Sequence, residues 1–389
     1  MTPELDYYTS NRLLDHFIQR GGELLSLIRA LVERESPSGD WDGSREVVDL
    51  LEGEARDIAA VSNVTRTEVE GYGQHLLIEA FGTGGEERTT LLLGHTDTVH
   101  PRGSLAERPV REEGGRVYGP GIFDMKSGCA VALEALRACA ESDVVPRHPV
   151  VLLLTCDEEA GSRSGRALVE REARRAAQVL VLEPPAPGGR AKTARKGTGM
   201  FTLRAGGRAA HAGLDFEKGA SAVLELARQT VRLNELCDAA RGVTVNVGVF
   251  AGGTRSNVVA EGATAEVDVR FETMADALRV EEAIKGLRPF DERVRLLIEG
   301  GINRPPLERT EAVTTLYEHA RAVACAFSFD LGEASVGGAS DGNFAAALCP
   351  AVLDGLGVEG DGAHAADEHI ILDSLARRGA LVAGLIATL

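Results

Sequence analysis

The stretch HPVVLLLTCDEEAGS, residues 148–162, runs from an apolar segment that reads as a buried strand directly into three adjacent acids, Asp157, Glu158 and Glu159. Neighbouring carboxylates each raise the cost of ionising the next, so the end of this strand needs something that makes the crowding tolerable. The same stretch sets the fold class. A near-continuous apolar run, in place of an alternating one, is what a strand covered on both faces shows. Similar runs flank it: HLLIEAFG (75–82) and TTLLLGHTDTV (89–99) before it, QVLVLEP (178–184) after it. Helix-like SGCAVALEALRACAES (127–142) and GSRSGRALVEREARRA (161–176) lie between them. This alternation predicts an α/β domain with a central, mostly parallel sheet covered by helices.

From 198 to 306 the rhythm changes. Strand GMFTLRAGG, helix GASAVLELARQTVRLNELCDAA, strands VTVNVGVFAGG and NVVAEGATAEVDVRF, helix MADALRVEEAIKGL and strand RVRLLIEGG follow one another. That order, βαββαβ, is the ferredoxin-like pattern of a small α+β domain. Amphipathic EAVTTLYEHARAVACAF (311–327) and the C-terminal DSLARRGALVAGLIATL (373–389) then restore a helical period. The small domain, 198–306, therefore reads as an insertion between two halves of the larger one, 1–197 and 307–389.

Composition narrows the function. The 389 residues are 44% hydrophobic and 26% charged, which is ordinary for a globular chain. A formal charge of −17 opposes non-specific attachment to nucleic acid or to an anionic membrane surface. The opening MTPELDYYTSNRLLDHF lacks a basic region followed by an apolar one, and no apolar run is long enough to span a bilayer. The expectation is a cytoplasmic protein. Cys129, Cys139, Cys156, Cys237, Cys325 and Cys349 are scattered without CxxC pairs, so free and mostly buried thiols are expected, and no thiolate metal site.

The chemistry lies at the strand ends. The first of these strands ends in His95 and Asp97, the second in the three acids, the third in Glu183. Ligands of open α/β sheets bind outside the carboxyl ends of the strands, so these residues can converge across ~90 positions of sequence. A cation would make the crowding tolerable. Within HTD the i, i+2 spacing puts His95 and Asp97 on one strand face, where the Asp97 carboxylate can hold the ring nitrogen not given to a metal. Glu158 and Glu159, being adjacent, point to different sides, so one can bind metal while the other handles a proton. Two loops add candidates: Asp124 in YGPGIFDMKSG (118–128) at a helix entrance, and His364 among small residues in GDGAHAADEHI (360–370), with nearby His369 expected to face solvent. Singly, each residue also fits a polar strand end, a solvated turn or a helix cap. The set in order points to a metal site.

LLLGHTDTV, GPGIFDMKSG, TCDEEAGS, VLVLEP and DGAHAADEH together resemble the motifs of the glutamate carboxypeptidase, aminoacylase and succinyl-diaminopimelate desuccinylase family of di-zinc peptidases. The likeness covers nearly the whole chain and is nearest in look to glutamate carboxypeptidase. It implies that His95 and Glu183 hold one zinc and Glu159 and His364 the other, with Asp124 bridging. Asp97 would orient His95, Glu158 would be the general base, and the peptide after Asp124 would be cis. Nitrogen and oxygen donors without sulfur also admit cobalt or manganese. Glu at 183 matches carboxypeptidase and deacylase members, where aminopeptidases tend to have Asp.

The reaction so implied is metal-assisted hydrolysis of an amide or peptide bond in a small or short-peptide substrate bearing a free carboxylate. His211 in GGRAAHAG is the family-matching donor to the scissile carbonyl oxygen. Asn257 in GGTRSNVV, Arg270 in EVDVRF and Arg304 in GINRPPLE match substrate-carboxylate positions, and Gly338 in GGASDGN lies where relatives bring backbone near the substrate. Lys196 in ARKGTG marks the hinge into the inserted domain. The family dimerises through that domain, so a homodimer is expected, with His211 and Asn257 reaching the partner's site. The alternatives are an N-acyl-amino-acid deacylase or dipeptidase of the same family and, from another class, a non-catalytic metal-binding scaffold.

Overall fold

A computed structural model describes residues 5–82 and 88–389, so the first four residues of the opening stretch lie outside the described residues. The chain divides into two compact units. One runs to Thr193 and resumes over Arg309–Val336 and Ser340–Leu389; the other is Ala194–Glu308 with Gly337–Ala339.

The first unit opens with three helices, α1 (Tyr7–Gln19), α2 (Gly21–Val32) and α3 (Trp41–Arg56), in a stretch to which the sequence reading assigns no element. Asp6 caps α1 by accepting from the main-chain N–H groups of Tyr8 and Thr9, and Asp40 caps α3 through Gly43. Strands β1 (Val61–Val69), β2 (Gly73–Ala80) and β3 (Thr89–His95) follow, then α4 (Ser127–Glu141), β4 (Val150–Thr155), α5 (Arg166–Arg175) and β5 (Ala176–Val181). The sheet order is β1-β2-β4-β3-β5, closed by a short strand, Val352–Leu353. From β4 through β3 and β5 to Val352–Leu353 every pairing is parallel; β1 and β2 form an antiparallel flank.

Every residue of β3 and β4 is buried, as the apolar runs require. Helix α4 is buried on nearly all faces and packs against the C-terminal helix Leu375–Thr388. Gly128 near its start has no room for a side chain: a Cβ there would stand 2.3 Å from the Leu182 carbonyl oxygen. That close approach brings the helix that follows Asp124 against the chain leading to Glu183. In two places an element stops short of its sequence pattern for a visible reason. The helix expected from 161 begins only at Arg166, because the Asp157 carboxylate accepts from Ser164 N (2.6 Å), Ser164 Oγ (2.7 Å) and Gly165 N (3.1 Å) and holds the intervening residues as a turn. The strand expected through 184 leaves the ladder after Val181, and the Glu183 carbonyl accepts from Gly357 N instead.

In the second unit β6 (Gly197–Gly206), α6 (Ala222–Asn234), β7 (Thr244–Gly252), β8 (Gly262–Phe271), α7 (Met274–Lys285) and β9 (Arg295–Arg304) follow in βαββαβ order. Its sheet is antiparallel throughout, in the order β7-β8-β6-β9. Helices α6 and α7 bury one face each against it, around Phe201, Leu203, Leu226, Val280 and Ile284. No helix among the described residues is long and apolar enough to cross a membrane.

Arg378, in the C-terminal helix, is 1% exposed. Its guanidinium donates to the carbonyls of Gly357 (2.8 Å), Gly189 (2.9 Å) and Gly355 (2.6 Å), and burial pushes its pKa down to about 10. Three buried acceptors, each worth about 1–3 kcal/mol when stranded, depend on this side chain. Arg378→Met is expected to lower unfolding free energy by about 2–5 kcal/mol in chemical denaturation. A midpoint equal to wild type would show that the fan of carbonyls is not stabilising.

Candidate metal centre

His95 is the last residue of β3 and stands opposite Thr155 at the end of β4. Two residues on, Asp97 meets the turn that carries the acids: its Oδ1 accepts from Glu158 N and its Oδ2 from Glu159 N, both at 3.1 Å, with Ser38 Oγ donating at 2.6 Å. The turn tolerates its charge in part because Asp157 and Glu159 have separate partners. Asp157 is turned into the protein and serves the Ser164–Gly165 turn, and Glu159 extends to the His364 ring at 3.0 Å. Glu158 is 8% exposed and lies next to Glu159 in the chain without belonging to the ligand cluster.

The contact between His95 and Asp97 differs from the expectation. The Nδ1 of His95 is 3.0 Å from the Asp97 main-chain oxygen and 3.4 Å from its carboxylate, so the carbonyl is the nearer acceptor. The strand ends at His95, and the Asp97 side chain swings to the 158–159 turn. With Nδ1–H so engaged, Nε2 is the nitrogen left to face a metal.

Around that nitrogen the carboxylates collect. Asp124 Oδ1 is 3.3 Å and Glu183 Oε1 3.5 Å from His95 Nε2; Asp124 Oδ2 is 3.4 Å from His364 Nε2. Asp124 thus turns one oxygen toward each imidazole. Ligand atoms of His95, Asp124 and Glu159 all lie within 4.8 Å of one another. His364 holds a left-handed backbone, φ 64°, which costs a residue with a β-carbon roughly 1–3 kcal/mol and persists where surroundings enforce it. The Asp124–Met125 peptide is cis. His369, expected at the surface, is buried instead: it lies in a short strand, His369–Ile371, paired with Arg116–Tyr118, and its ring packs on that of Tyr118 at 5.1 Å.

The electrostatics demand positive charge here. Burial alone would push the Asp124 carboxyl up, but the imidazoles of His364 and His95 outweigh it and hold it below the usual carboxylate range. Burial disfavours a charged His95, yet Asp124, Asp97 and Glu183 raise its pKa well above the ordinary value; Asp124 and Glu159 raise His364 to about 10. Burial raises Glu159 against the pull of His364. Without a cation the acids draw protons onto the rings. A divalent cation facing the same Nε2 atoms would displace those protons, and a nitrogen and oxygen donor set without sulfur suits one. The residues fit a metal.

The substrate candidates belong to the second unit and form two groups. His211 pairs with Val258, and Ala212 N donates to the Asn257 carbonyl at 3.0 Å, so His211 and Asn257 lie on adjoining exposed loops ahead of β8. The His211 Nδ1 accepts from Gly213 N and Leu214 N, which leaves Nε2–H outward. Arg270 and Arg304 both stand opposite Thr198, on either side of β6. Arg270 is held bidentately by Asp268 at 2.8 and 2.9 Å, and Arg304 is 8% exposed. Arg270 is eight residues along β8 from Gly262, roughly 26 Å at the strand rise, so the unit does not bring the two groups together. Gly338 accepts from Arg195 through its carbonyl at 3.2 Å, and Lys196 donates to the Gly242 carbonyl at 2.6 Å.

Three residues near the metal candidates escape the sequence reading. Glu368, 2% exposed, receives the main-chain N–H groups of Gly121, Phe123 and Asp124; His100 donates to it; and Lys126, fully buried, donates to the carbonyls of Leu31 and Arg34. For Glu368 and Lys126 a charged residue inside the motif strings was the signal, but a charge in a loop is usually solvated; His100 lies just past its string.

The model of "Peptidase family M20/M25/M40" matches residues 91–388. Carboxypeptidase G2 of Pseudomonas sp. (strain RS-16) is 31% identical over 375 residues, 94% of this chain and 89% of the relative. Succinyl-diaminopimelate desuccinylase of Verminephrobacter eiseniae (strain EF01-2) is 30% identical over 315 residues, 74% of this chain and 75% of the relative. Among solved structures, aminopeptidase PepT from Bacillus cereus ATCC 10987 shares the fold with a TM-score of 0.77 at 22% identity, covering 95% of this chain and 98% of its own. With acids and imidazoles gathered at the strand ends and the match running from 91 to 388, the chain belongs to peptidase family M20/M25/M40 and is a hydrolytic enzyme.

Proposed function

We propose that the enzyme cleaves the amide bond of a small substrate carrying a free carboxylate, in the manner of a glutamate carboxypeptidase, with two zinc ions per chain. His95, Asp124 and Glu183 would hold one ion; Asp124, Glu159 and His364 the other; cobalt or manganese could replace zinc. The observation that carries this reading is Asp124, with one oxygen toward each imidazole. The likeness to Carboxypeptidase G2 over 94% of the chain supports the substrate class.

Bound metal supplies Lewis-acid polarisation of the scissile carbonyl and acidifies water. Glu158 takes the proton of the attacking water and returns it to the amine nitrogen as the carbon–nitrogen bond breaks. Asp97 keeps Glu158 and Glu159 in place through their main-chain N–H groups. His211 donates Nε2–H to the carbonyl oxygen as charge develops on it. Since β8 alone spans roughly 26 Å from Gly262 to Arg270 and His211 and Asn257 lie on the loops ahead of it, one amino-acid-sized substrate does not reach both groups of one chain. This supports a homodimer through the second unit, with one group acting on the partner's substrate. Six unpaired cysteines suit a cytoplasmic enzyme.

A second reading, an N-acyl-amino-acid deacylase, draws on the likeness to the desuccinylase. A panel of folate-type and acyl-glutamate substrates beside N-acetyl and N-succinyl amino acids and dipeptides, run with zinc and with cobalt, separates them by kcat/KM. Preference for a C-terminal glutamate supports the first reading; preference for the acyl group overturns it. Bound metal with no turnover on any member would indicate a scaffold.

Glu158→Ala is expected to keep its metal and lose about 10²–10⁴-fold in kcat, whereas Glu159→Ala loses metal as well; elemental analysis beside turnover checks both. Near wild-type turnover in Glu158→Ala would remove the base assignment. Mixing inactive His211→Ala and Glu158→Ala proteins under subunit exchange should restore activity, since one site of each mixed dimer then has intact metal ligands, Glu158 and a partner's histidine. No recovery, with mixed dimers proven by mass spectrometry, would confine His211 to its own chain.

A further inference from the structure

The two ligands that come from loops, Asp124 and His364, lack a strand to aim them. Asp124 follows a glycine with a left-handed backbone, Gly121 at φ 71°, and belongs to an irregular turn. Around that turn one carboxylate collects four donors. Glu368 Oε1 accepts from Phe123 N at 2.8 Å and Asp124 N at 2.9 Å; Oε2 accepts from Gly121 N at 2.8 Å and from His100 Nε2 at 2.6 Å. Arg108 Nη2 stands 3.4 Å from His100 Nδ1, and its Nη1 donates to the Ala365 carbonyl at 3.4 Å. Arginine only donates, so His100 turns Nδ1 to Arg108 and Nε2 to Glu368.

Each partner sits close in sequence to a different metal candidate. Glu368 is four residues past His364, His100 is five past His95, and the three N–H groups lead into Asp124. A buried carboxylate that accepts four hydrogen bonds is strongly directional, because moving any partner strands a donor away from water. Accepting from the Asp124 main-chain nitrogen fixes the peptide from which the Asp124 side chain projects. We propose that Glu368 is a positioning residue that ties the 95–100, 119–124 and 364–368 segments at one point and so aims both oxygens of Asp124, with His100 as its second support. The proposal rests on the reading of Asp124 as a metal ligand.

The test titrates apo-protein with Co²⁺ and with Zn²⁺, following metal affinity and the visible absorption of the cobalt form at saturation. Wild type should bind two ions. In Glu368→Gln the amide NH₂ cannot accept, so at least one loop N–H loses its partner. Metal affinity should fall about 10–100-fold and the saturated cobalt spectrum should shift in position or intensity, although the far-ultraviolet circular dichroism stays that of wild type. His100→Ala should weaken metal in the same direction by less, and His100→Gln, which keeps a donor to Glu368, should recover part of that loss. A merely structural role would lower thermal stability while leaving the saturated cobalt spectrum untouched. If Glu368→Gln folds and its affinity and spectrum equal wild type, the proposal is overturned. If it does not fold, the His100 pair decides: a spectrum unchanged in both overturns the proposal. Wild type that binds no metal would instead overturn the metal reading itself, and the proposal with it.

Discussion

Crowding of negative charge at the carboxyl edge of one sheet is the constraint from which the rest of the first unit follows. Asp97, Asp124, Glu159 and Glu183 come within reach of the His95 and His364 rings, and carboxylates this close do not share a desolvated site unaided. The protein meets part of the cost with its own main chain. Asp97 takes the N–H groups of the 158–159 turn, Asp157 those of Ser164 and Gly165, and Glu368 those of the loop ahead of Asp124. Apart from these stands the cluster of Asp124, Glu159 and Glu183, whose oxygens face imidazole nitrogens.

The buried cations are distributed in keeping with this. Lys126 and Arg378 are both 1% exposed, and both direct their donors at carbonyl oxygens: Leu31 and Arg34 for one, Gly189, Gly355 and Gly357 for the other. Burial pushes the Lys126 ammonium down to about 7. Neither side chain is spent on the acids of the site, though Lys126 is two residues from Asp124. Pairing the acids internally would make salt bridges and leave no donor atoms for a metal. Tethering loop carbonyls instead holds the turns that carry Asp124 and Glu183.

The second unit follows another logic. Its antiparallel sheet has one face under two helices, so its strands alternate in burial and its loops carry the polar groups. His211 and Asn257 adjoin because β6 and β8 pair from Gly206 and Gly262 onward, and the loops beyond those ends pair too. Arg270 and Arg304 adjoin at the far end because both oppose Thr198. One ladder therefore brings each pair together and keeps the two pairs apart.

Residue type and period alone determine much of this. Apolar runs at 91–93 and 150–154 require strands buried on both faces, and the βαββαβ order follows from where period 2 gives way to period 3.6. The residues able to bind metal are legible because His95, Asp124, Glu159, Glu183 and His364 are the donor types present where those strands and loops end. Partner choice is what the chain order could not contain. Asp157, Glu158 and Glu159 are three like acids in sequence, and only the approach of Asp97 from one side and Ser164 from the other sets Asp157 apart as a turn anchor and turns Glu159 toward the His364 ring. Glu368 and His369 are likewise adjacent; from sequence His369 is expected at the surface, and Glu368 draws no expectation. The short pairing with 116–118 buries His369, and the loop that follows 118 brings its N–H groups to Glu368, because a strand register set some 250 positions apart in sequence decides which polar groups find N–H donors and which find water.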